Sequence, residues 1–252
     1  MPNVRTDAGL IRQLRDSADR WQLPFGWVVW LNLVAIVAVP ILVVLFFAWR
    51  PAFRLILDED GIVEYGQVLL WAASAVVGGV IALDRVRRGH PMQALLWAAF
   101  VLAGIFIVGE EISWGQRLFG FETPDVLEEI NRQDEANLHN IGRTLTVFNI
   151  GIFVASLYAI AAEWIHRRWN LVRGIVDGDR LYVPPFALAG LFAVMVAYRV
   201  VRWVVLTQES YALTSLSEWA ELCFVAGLFI TVLLSALWLS HNPMTGPQES
   251  AG

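Results

Sequence analysis

A run of 23 residues without a charged side chain extends from residue 27 to residue 49 and reads WVVWLNLVAIVAVPILVVLFFAW. As an α-helix, with a rise of about 1.5 Å per residue, it would be roughly 35 Å long. The hydrocarbon core of a bilayer is about 30 Å thick, so the stretch predicts a membrane-spanning helix. It is too long for the roughly 7–15-residue apolar core of a cleaved signal peptide, and we expect the helix to be retained.

Five more uncharged, mainly apolar stretches of at least 18 residues follow, at 65–83, 92–109, 144–162, 181–198 and 222–240. The chain of 252 residues is 57% hydrophobic and 16% charged, against about 25% charged residues in soluble domains. Together the six stretches leave no room for a separate soluble domain of ordinary size. The sequence therefore predicts an all-α integral membrane protein, a bundle of six transmembrane helices with a long, structured outer loop between spans 3 and 4.

Three regions follow from these spans. Residues 1–25 are expected to form a cytoplasmic N-terminal tail, residues 26–241 the six-span membrane domain with its outer loop at 110–143, and residues 242–252 a flexible C-terminal tail. Apolar residues recur in the first tail at helical spacing, with arginines between them: Leu10, Ile11, Leu14, Ala18 and Trp21. This pattern predicts a short helix on the membrane surface.

The distribution of charge predicts the orientation. With the N terminus in the cytoplasm, eleven of the 18 arginines lie on the inner side and seven on the outer side, as the positive-inside rule favours. We therefore predict a multi-pass protein of the bacterial inner (cytoplasmic) membrane with a cytoplasmic N terminus. A net charge of −5 excludes a strongly basic nucleic-acid footprint. The single cysteine, Cys223, excludes an intrachain disulfide.

The outer loop carries GEEISWGQRLFGF at 109–121, a Thr-Pro turn at 123–124 and NLHN at 137–140. Aromatic and aliphatic residues are interleaved through it, which indicates an ordered loop, and a surface helix is expected from Pro124 to about Arg132. The GEEISWGQR and NLHN segments resemble a set of uncharacterised bacterial multi-span membrane proteins. The resemblance supports the membrane assignment and implies no activity or catalytic residues.

Glu110 and Glu111 follow the third span directly, at a helix end whose partial negative charge disfavours adjacent carboxylates. One interpretation is a salt bridge to Arg117 or to another outer arginine; the other is a cation-binding or catalytic site. If the helix continues beyond the span, Glu111 points away from a face shared by Glu110, Ser113, Trp114 and Arg117. Trp114 and Gln116 are the candidate substrate-binding residues of this segment.

Glu135 and His139 are four residues apart, one turn on a helix that leads into the fourth span. Such a pair can hold a metal ion, or orient the imidazole as an acid or base. The alternative is structural: Glu135 complements the positive end of the helix, and His139 donates to a loop carbonyl. The pair lacks the second histidine of a zinc-protease helix.

Glu221 directly precedes the sixth apolar run, and an ionisable group at a membrane boundary is a functional candidate or half of an ion pair. Arg199 and Arg202 lie three residues apart near the same outer level. They can neutralise Glu221 and Glu110, or bind a phosphate or carboxylate group of a ligand.

Two further patterns have structural interpretations. Ser215 and Glu218 fit a capping box at the start of a helix. Tryptophans near the span ends fit the aromatic belts of a membrane protein: Trp21, Trp27, Trp49, Trp164 and Trp238.

These acids lie on the outer side in separate segments, so we expect one shared pocket. The first hypothesis is a metal-assisted enzyme acting on a lipid-linked or amphipathic substrate. Its catalytic residues would be Glu110, Glu111, Glu135 and His139, its metal ligands Glu111, Glu135, His139 and Glu221, and its substrate-binding residues Arg199, Arg202, Trp114 and Gln116. Oxygen ligands with one histidine suit several divalent ions, from magnesium to zinc.

Two alternatives stay open, so enzyme activity is itself undecided by the sequence. In a non-catalytic scaffold or assembly subunit the acids would pair with arginines, and the outer loop would bind a protein partner or a second copy. In an ion- or proton-coupled transporter they would line a path, and a helix interrupted near the midplane would favour that function. Pro40 is the only residue that suggests such an interruption.

Overall fold

The structure is a computed structural model that describes residues 4–58, 61–119, 123, 142–169, 181–208 and 210–241. No β-strand occurs in these ranges. The helices are α1 (Val4–Arg20), α2 (Phe25–Ala48), α3 (Arg50–Leu57), α4 (Ile62–Arg87), α5 (Pro91–Glu111), α6 (Gln116–Phe119), α7 (Gly142–Trp169), α8 (Ala189–Val200) and α9 (Tyr211–His241). Short 3₁₀ turns cover Ser113–Gly115 and Phe186–Leu188, and a π-helical segment, Val201–Val205, continues α8.

Six helical segments are long and apolar enough to cross a membrane: Phe25–Ala48, Arg50–Arg87, Pro91–Glu111, Thr146–Arg168, Phe186–Val205 and Tyr211–His241. The prediction of an all-α chain with six such segments is therefore confirmed for the described residues. The fifth segment begins at Phe186 rather than residue 181, because Pro184 and Pro185 lie in extended chain just before it. Pro40 does not interrupt α2, which stays helical through it.

The long helices pack in an arc in which α5, α4, α9, α8 and α7 are successive neighbours, and α2 packs on α8. Small residues allow the closest approach, between α4 and α5. A Cβ atom added to Gly78 would lie 3.0 Å from the ring of Phe100, and one added to Gly104 would lie 3.3 Å from the Cβ of Ala75. Because α5 and α7 lie at the two ends of the arc, cavities remain between them.

The buried apolar core lies where α8 and α9 meet, around Leu188, Phe192, Met195 and Phe224. The outer faces of the helices are also apolar: in α2, Trp27 is 71% exposed and Phe47 is 79% exposed. In contrast to a soluble bundle, the apolar side chains therefore lie both inside and outside.

The N-terminal helix forms as predicted, but it packs on the bundle. Ser17 and Trp21 are buried, and both donate to the Glu163 carboxylate of α7, at 2.8 and 2.9 Å. The assignment of Trp21 to an aromatic belt is therefore wrong, since its indole is used to attach α1. Trp27, Trp49 and Trp164 are largely exposed, as a belt requires.

Candidate functional site

A cavity of about 180 Å³ lies at the end of the bundle where α5 ends and α9 begins; we call it the acidic cavity. Three carboxylates line it, those of Glu110 and Glu111 from α5 and of Glu221 from α9, together with the Gln67 amide of α4. The other lining residues are mainly apolar or aromatic and come from α4, α5, α7 and α9: Trp71, Ile107, Phe148, Asn149, Gly151, Ile152, Ala155 and Phe224. Three of the acids singled out in the sequence thus converge.

Glu110 is 2% exposed and accepts a hydrogen bond from the Trp114 indole at 2.6 Å. The chain reaches this geometry by reversing after α5, because Ser113 and Trp114 have φ values of 46° and 52°. The Trp114 ring then covers Gly109, where an added Cβ atom would lie 2.8 Å from the ring. The condition for the shared face, a helix that continues past Glu111, is therefore not met, since left-handed backbone ends α5.

Glu111 also lines the cavity and is half-buried. The last turn of α5 thus brings both adjacent carboxylates to the space between α4, α7 and α9.

Glu221 is bound by Arg199, whose Nη2 lies 3.0 Å from its Oε1. Arg199 comes from the last turn of α8 and is buried. This contact confirms the ion-pair interpretation for these two residues. Arg199 is the buried partner, and removal of Glu221 would leave its charge in a poorly solvated place.

Arg202 and Gln116 form hydrogen bonds with groups that do not line the acidic cavity. The Nη1 of Arg202 donates to the carbonyls of Leu206 and Gln208, both at 2.9 Å, and closes the turn after the π-helical segment. The Gln116 amide donates to the Thr123 hydroxyl at 2.8 Å. The structure therefore gives these two candidate substrate-binding residues local roles and does not place them among the lining residues of the acidic cavity.

Sequence reasoning missed the contact between Gln67 and Glu218. Gln67 is buried, and its amide donates to the Glu218 carboxylate at 2.9 Å and to the Glu218 carbonyl at 3.0 Å. The predicted capping box is wrong, because α9 begins at Tyr211 and the Ser215 hydroxyl donates to the Tyr211 carbonyl at 3.0 Å. The sequence signal for this contact was the single amide side chain, that of Gln67, in an otherwise mainly apolar span.

Glu218 belongs to the same electrostatic cluster as the acidic cavity. Its carboxylate is repelled by those of Glu221, Glu111 and Glu64, the last of which lies in the first turn of α4. Five acids from three helices are thus gathered at one end of the bundle, and the Arg199 guanidinium lies among them. Such an arrangement attracts a cation or protons.

Glu135 and His139 lie outside the described residues, as does the surface helix expected at 124–132. Within the part of the chain that the structure describes, no three His, Cys, Asp or Glu side chains are arranged to hold a metal ion. The predicted ligand set of Glu111, Glu135, His139 and Glu221 includes two residues from outside that part. Its metal-binding role therefore stays a prediction.

Comparisons of the chain with protein-family models, curated proteins and solved structures find no match.

Proposed function

We propose that this chain is a multi-pass protein of the bacterial inner membrane with its N terminus in the cytoplasm, and that the acidic cavity opens toward the outer face. Six segments long and apolar enough to span a bilayer support the membrane assignment. The exposed apolar side chains of α2 support it further, because water-soluble proteins seldom expose continuous apolar surfaces of this extent. The arginine asymmetry supports the orientation.

The acidic cavity is the proposed ligand site, and one observation carries this proposal: Glu110, Glu111 and Glu221 line the same cavity. Acids within membrane-spanning segments are expensive, and they are usually kept for binding or proton transfer. We infer that the cavity binds a cation, and that the protein is an enzyme acting on a lipid-linked or amphipathic substrate. The mainly apolar walls suit such a substrate.

A divalent metal ion is the proposed cofactor, with Glu135 and His139 completing the ligands supplied by Glu111 and Glu221. The ion would act as a Lewis acid or activate a water molecule, and Glu110 would be the nearby acid or base. Arg199 already binds Glu221, so a role in holding an anionic substrate group requires it to exchange partners.

Metal analysis with thermal unfolding tests this proposal in the purified full chain. Added magnesium, calcium, manganese or zinc should raise the unfolding temperature, since an ion at a hundred times its dissociation constant contributes about 2.7 kcal/mol. Glu111→Gln and His139→Ala should abolish both the bound metal and this stabilisation. Asp16→Asn, a matched change at an exposed acid of α1, should leave both unaltered. Absence of bound metal and of any response to all four ions would refute the metal-assisted mechanism.

The orientation has its own test. In a Cys223→Ala background, cysteines introduced at Glu128 and at Gly178 should be labelled by a membrane-impermeant reagent from opposite sides. Labelling of the residue-128 cysteine from the cytoplasm would reverse the assignment, because the proposal needs residues 110–143 outside.

A non-catalytic scaffold is the second candidate, and one observation favours it. Acids that line the cavity already contact other side chains of the protein. Glu221 forms an ion pair with Arg199, and Glu110 accepts a hydrogen bond from Trp114. If these contacts are purely structural, Glu221→Gln should destabilise the protein with no metal dependence. Adding Arg199→Gln should then recover part of the loss. The continuous α2 gives no support to a transporter with a broken first span.

A further inference from the structure

A second and larger cavity, of about 320 Å³, lies between α5 and α7 toward the opposite end of the bundle; we call it the apolar cavity. Its walls are almost entirely hydrocarbon, with Phe100, Phe192 and Leu228 among them. Leu96 of α5 and Tyr158 of α7 are both lining residues and about two-fifths exposed. The cavity therefore opens sideways between these helices, and its volume is in the roughly 300–1,000 Å³ range of small-molecule pockets.

Three buried polar atoms lie near one end of this cavity. They are the Nη1 of Arg85, the indole nitrogen of Trp97 and the hydroxyl of Tyr182, and none has a hydrogen-bond partner among the described residues. Arg85 is completely buried, and Trp97 is 5% exposed. Buried polar atoms in native proteins are nearly always hydrogen-bonded, so three together call for an explanation. Two of the side chains, Trp97 and Tyr182, line the apolar cavity itself.

All three groups are donors. A guanidinium and an indole N–H can only donate. The Tyr182 hydroxyl lies near the Trp97 indole and can also accept, but burial raises its pKa above the ordinary value, so it keeps its proton at neutral pH and can donate. The three lie in one region, since the rings of Trp97 and Tyr182 have centroids 6.1 Å apart, and Ile81, one turn before Arg85 on α4, belongs to the same apolar cluster as Trp97. Tyr158 donates to the Tyr182 carbonyl at 2.6 Å, which fixes the Tyr182 backbone.

Arg85 shares its carboxylate partner with a second arginine. One edge of the Arg85 guanidinium binds Asp84, which also accepts from the Arg88 Nε at 2.8 Å. One carboxylate thus serves two guanidinium groups. The Nη1 of Arg85 is the part of the fork that Asp84 does not occupy.

We propose that the apolar cavity binds an anionic amphiphile. Its carboxylate or phosphate head would accept hydrogen bonds from Arg85, Trp97 and Tyr182, and its hydrocarbon chain would lie along the apolar walls. An acceptor-rich anion is the group that satisfies three donors at once. This proposal is independent of the acidic cavity, which is lined by carboxylates. The two cavities adjoin at Ala155 and Phe224, which line both.

Binding of single-chain probes to the purified full chain in neutral maltoside micelles tests the proposal. Dodecanoate and dodecyl phosphate should bind and raise the unfolding temperature, whereas dodecanol and dodecyltrimethylammonium should bind at least about tenfold more weakly, since they lose the charged acceptor. Comparison of the first two probes distinguishes a carboxylate from a phosphate head. Equal binding of dodecanol and dodecanoate would overturn the proposal.

Conservative variants locate the site. Tyr182→Phe and Trp97→Phe each remove one donor and keep a ring, so each should weaken dodecanoate binding about tenfold or more. The matched controls, Tyr65→Phe and Trp30→Phe, change exposed side chains and should bind as the parent does. Unchanged binding in both donor variants would contradict the proposal.

A last measurement tests whether an acidic side chain of the protein itself binds Arg85. Double-mutant cycles without amphiphile would pair Arg85→Gln with Asp177→Asn or Asp179→Asn. Coupling in either cycle would overturn the proposal, because an acid of the chain would then occupy Arg85. Additive effects support it.

Discussion

Replacing Glu163 with alanine should detach the N-terminal helix from the bundle. Glu163 lies in α7, is 6% exposed, and accepts hydrogen bonds from three residues of or next to α1: Ser17, Arg20 and Trp21. Arg167, one turn further along α7, has its Nη2 3.7 Å from the same carboxylate. One side chain thus joins two segments that are more than 140 residues apart in sequence.

The size of the expected stability loss follows from how far each partner of Glu163 is buried. Arg20 and Arg167 are 38% and 55% exposed at their side chains, so each ion pair contributes at most about 1 kcal/mol. Ser17 and Trp21 are buried, and a hydrogen bond to a charged acceptor contributes about 1.5–3 kcal/mol. Because Glu163→Ala leaves both donors buried without that acceptor, we expect a loss of about 3 kcal/mol. Arg20→Gln should cost less than about 1 kcal/mol.

Two measurements in the same detergent check these predicted losses of stability. Denaturant unfolding should give the free-energy difference, and trypsin should cut α1 faster at the exposed Arg12 and Arg15 in Glu163→Ala than in the parent. A double-mutant cycle with Trp21→Phe should give a coupling of about 1 kcal/mol or more. The reasoning fails if Glu163→Ala is as stable as the parent, or if Arg20→Gln costs more than Glu163→Ala.

Two core predictions concern packing and a buried amide. Asn32→Ala should lose about 2–4 kcal/mol in an unfolding titration, since Asn32 donates to the Ala187 carbonyl and accepts from the Gly190 N–H at 2.6 Å, groups that would stay buried. Gly227→Ala should lose about 1–3 kcal/mol, because its Cβ would lie 2.7 Å from the buried Phe192 ring. The matched Gly79→Ala meets no atom within 4 Å and should be neutral or slightly stabilising; equal losses at the two glycines would contradict the packing argument.

The number of long helices could be predicted from the sequence, because an uncharged run of 18 residues has few other stable structures. The ends of these helices could not be predicted. The sixth apolar run starts at residue 222, yet α9 begins at Tyr211. The intervening polar residues are tolerated because Glu218 binds Gln67 and Glu221 binds Arg199. Those partners lie in other helices, so a local pattern contains no sign of them.

The candidate site could likewise be predicted only in part from the sequence. The pairing of Glu221 with Arg199 could be inferred, since two opposite charges at one membrane level favour each other. The packing of the Trp114 ring on Gly109 required knowledge of the reversal at Ser113 and Trp114, which depends on two non-glycine residues with positive φ. Uncharged polar residues such as Asn32 and Gln67 give no periodic signal, although both bind groups more than 150 residues away. Glu135 and His139 stay a prediction.

The position of α7 links the N-terminal helix to both cavities. Among the long helices α7 packs chiefly on α8, and its other side faces the acidic and apolar cavities. Glu163 lies five residues beyond Tyr158, toward the end of α7 that α1 covers. Because α1 also binds the turn before α8 through Ser17 and the Ala187 N–H, at 2.9 Å, it fixes α7 relative to α8 from the side opposite the acidic cavity. The contact made by Ser17 and Trp21 is therefore one of those that position α7, whose other side lines both cavities.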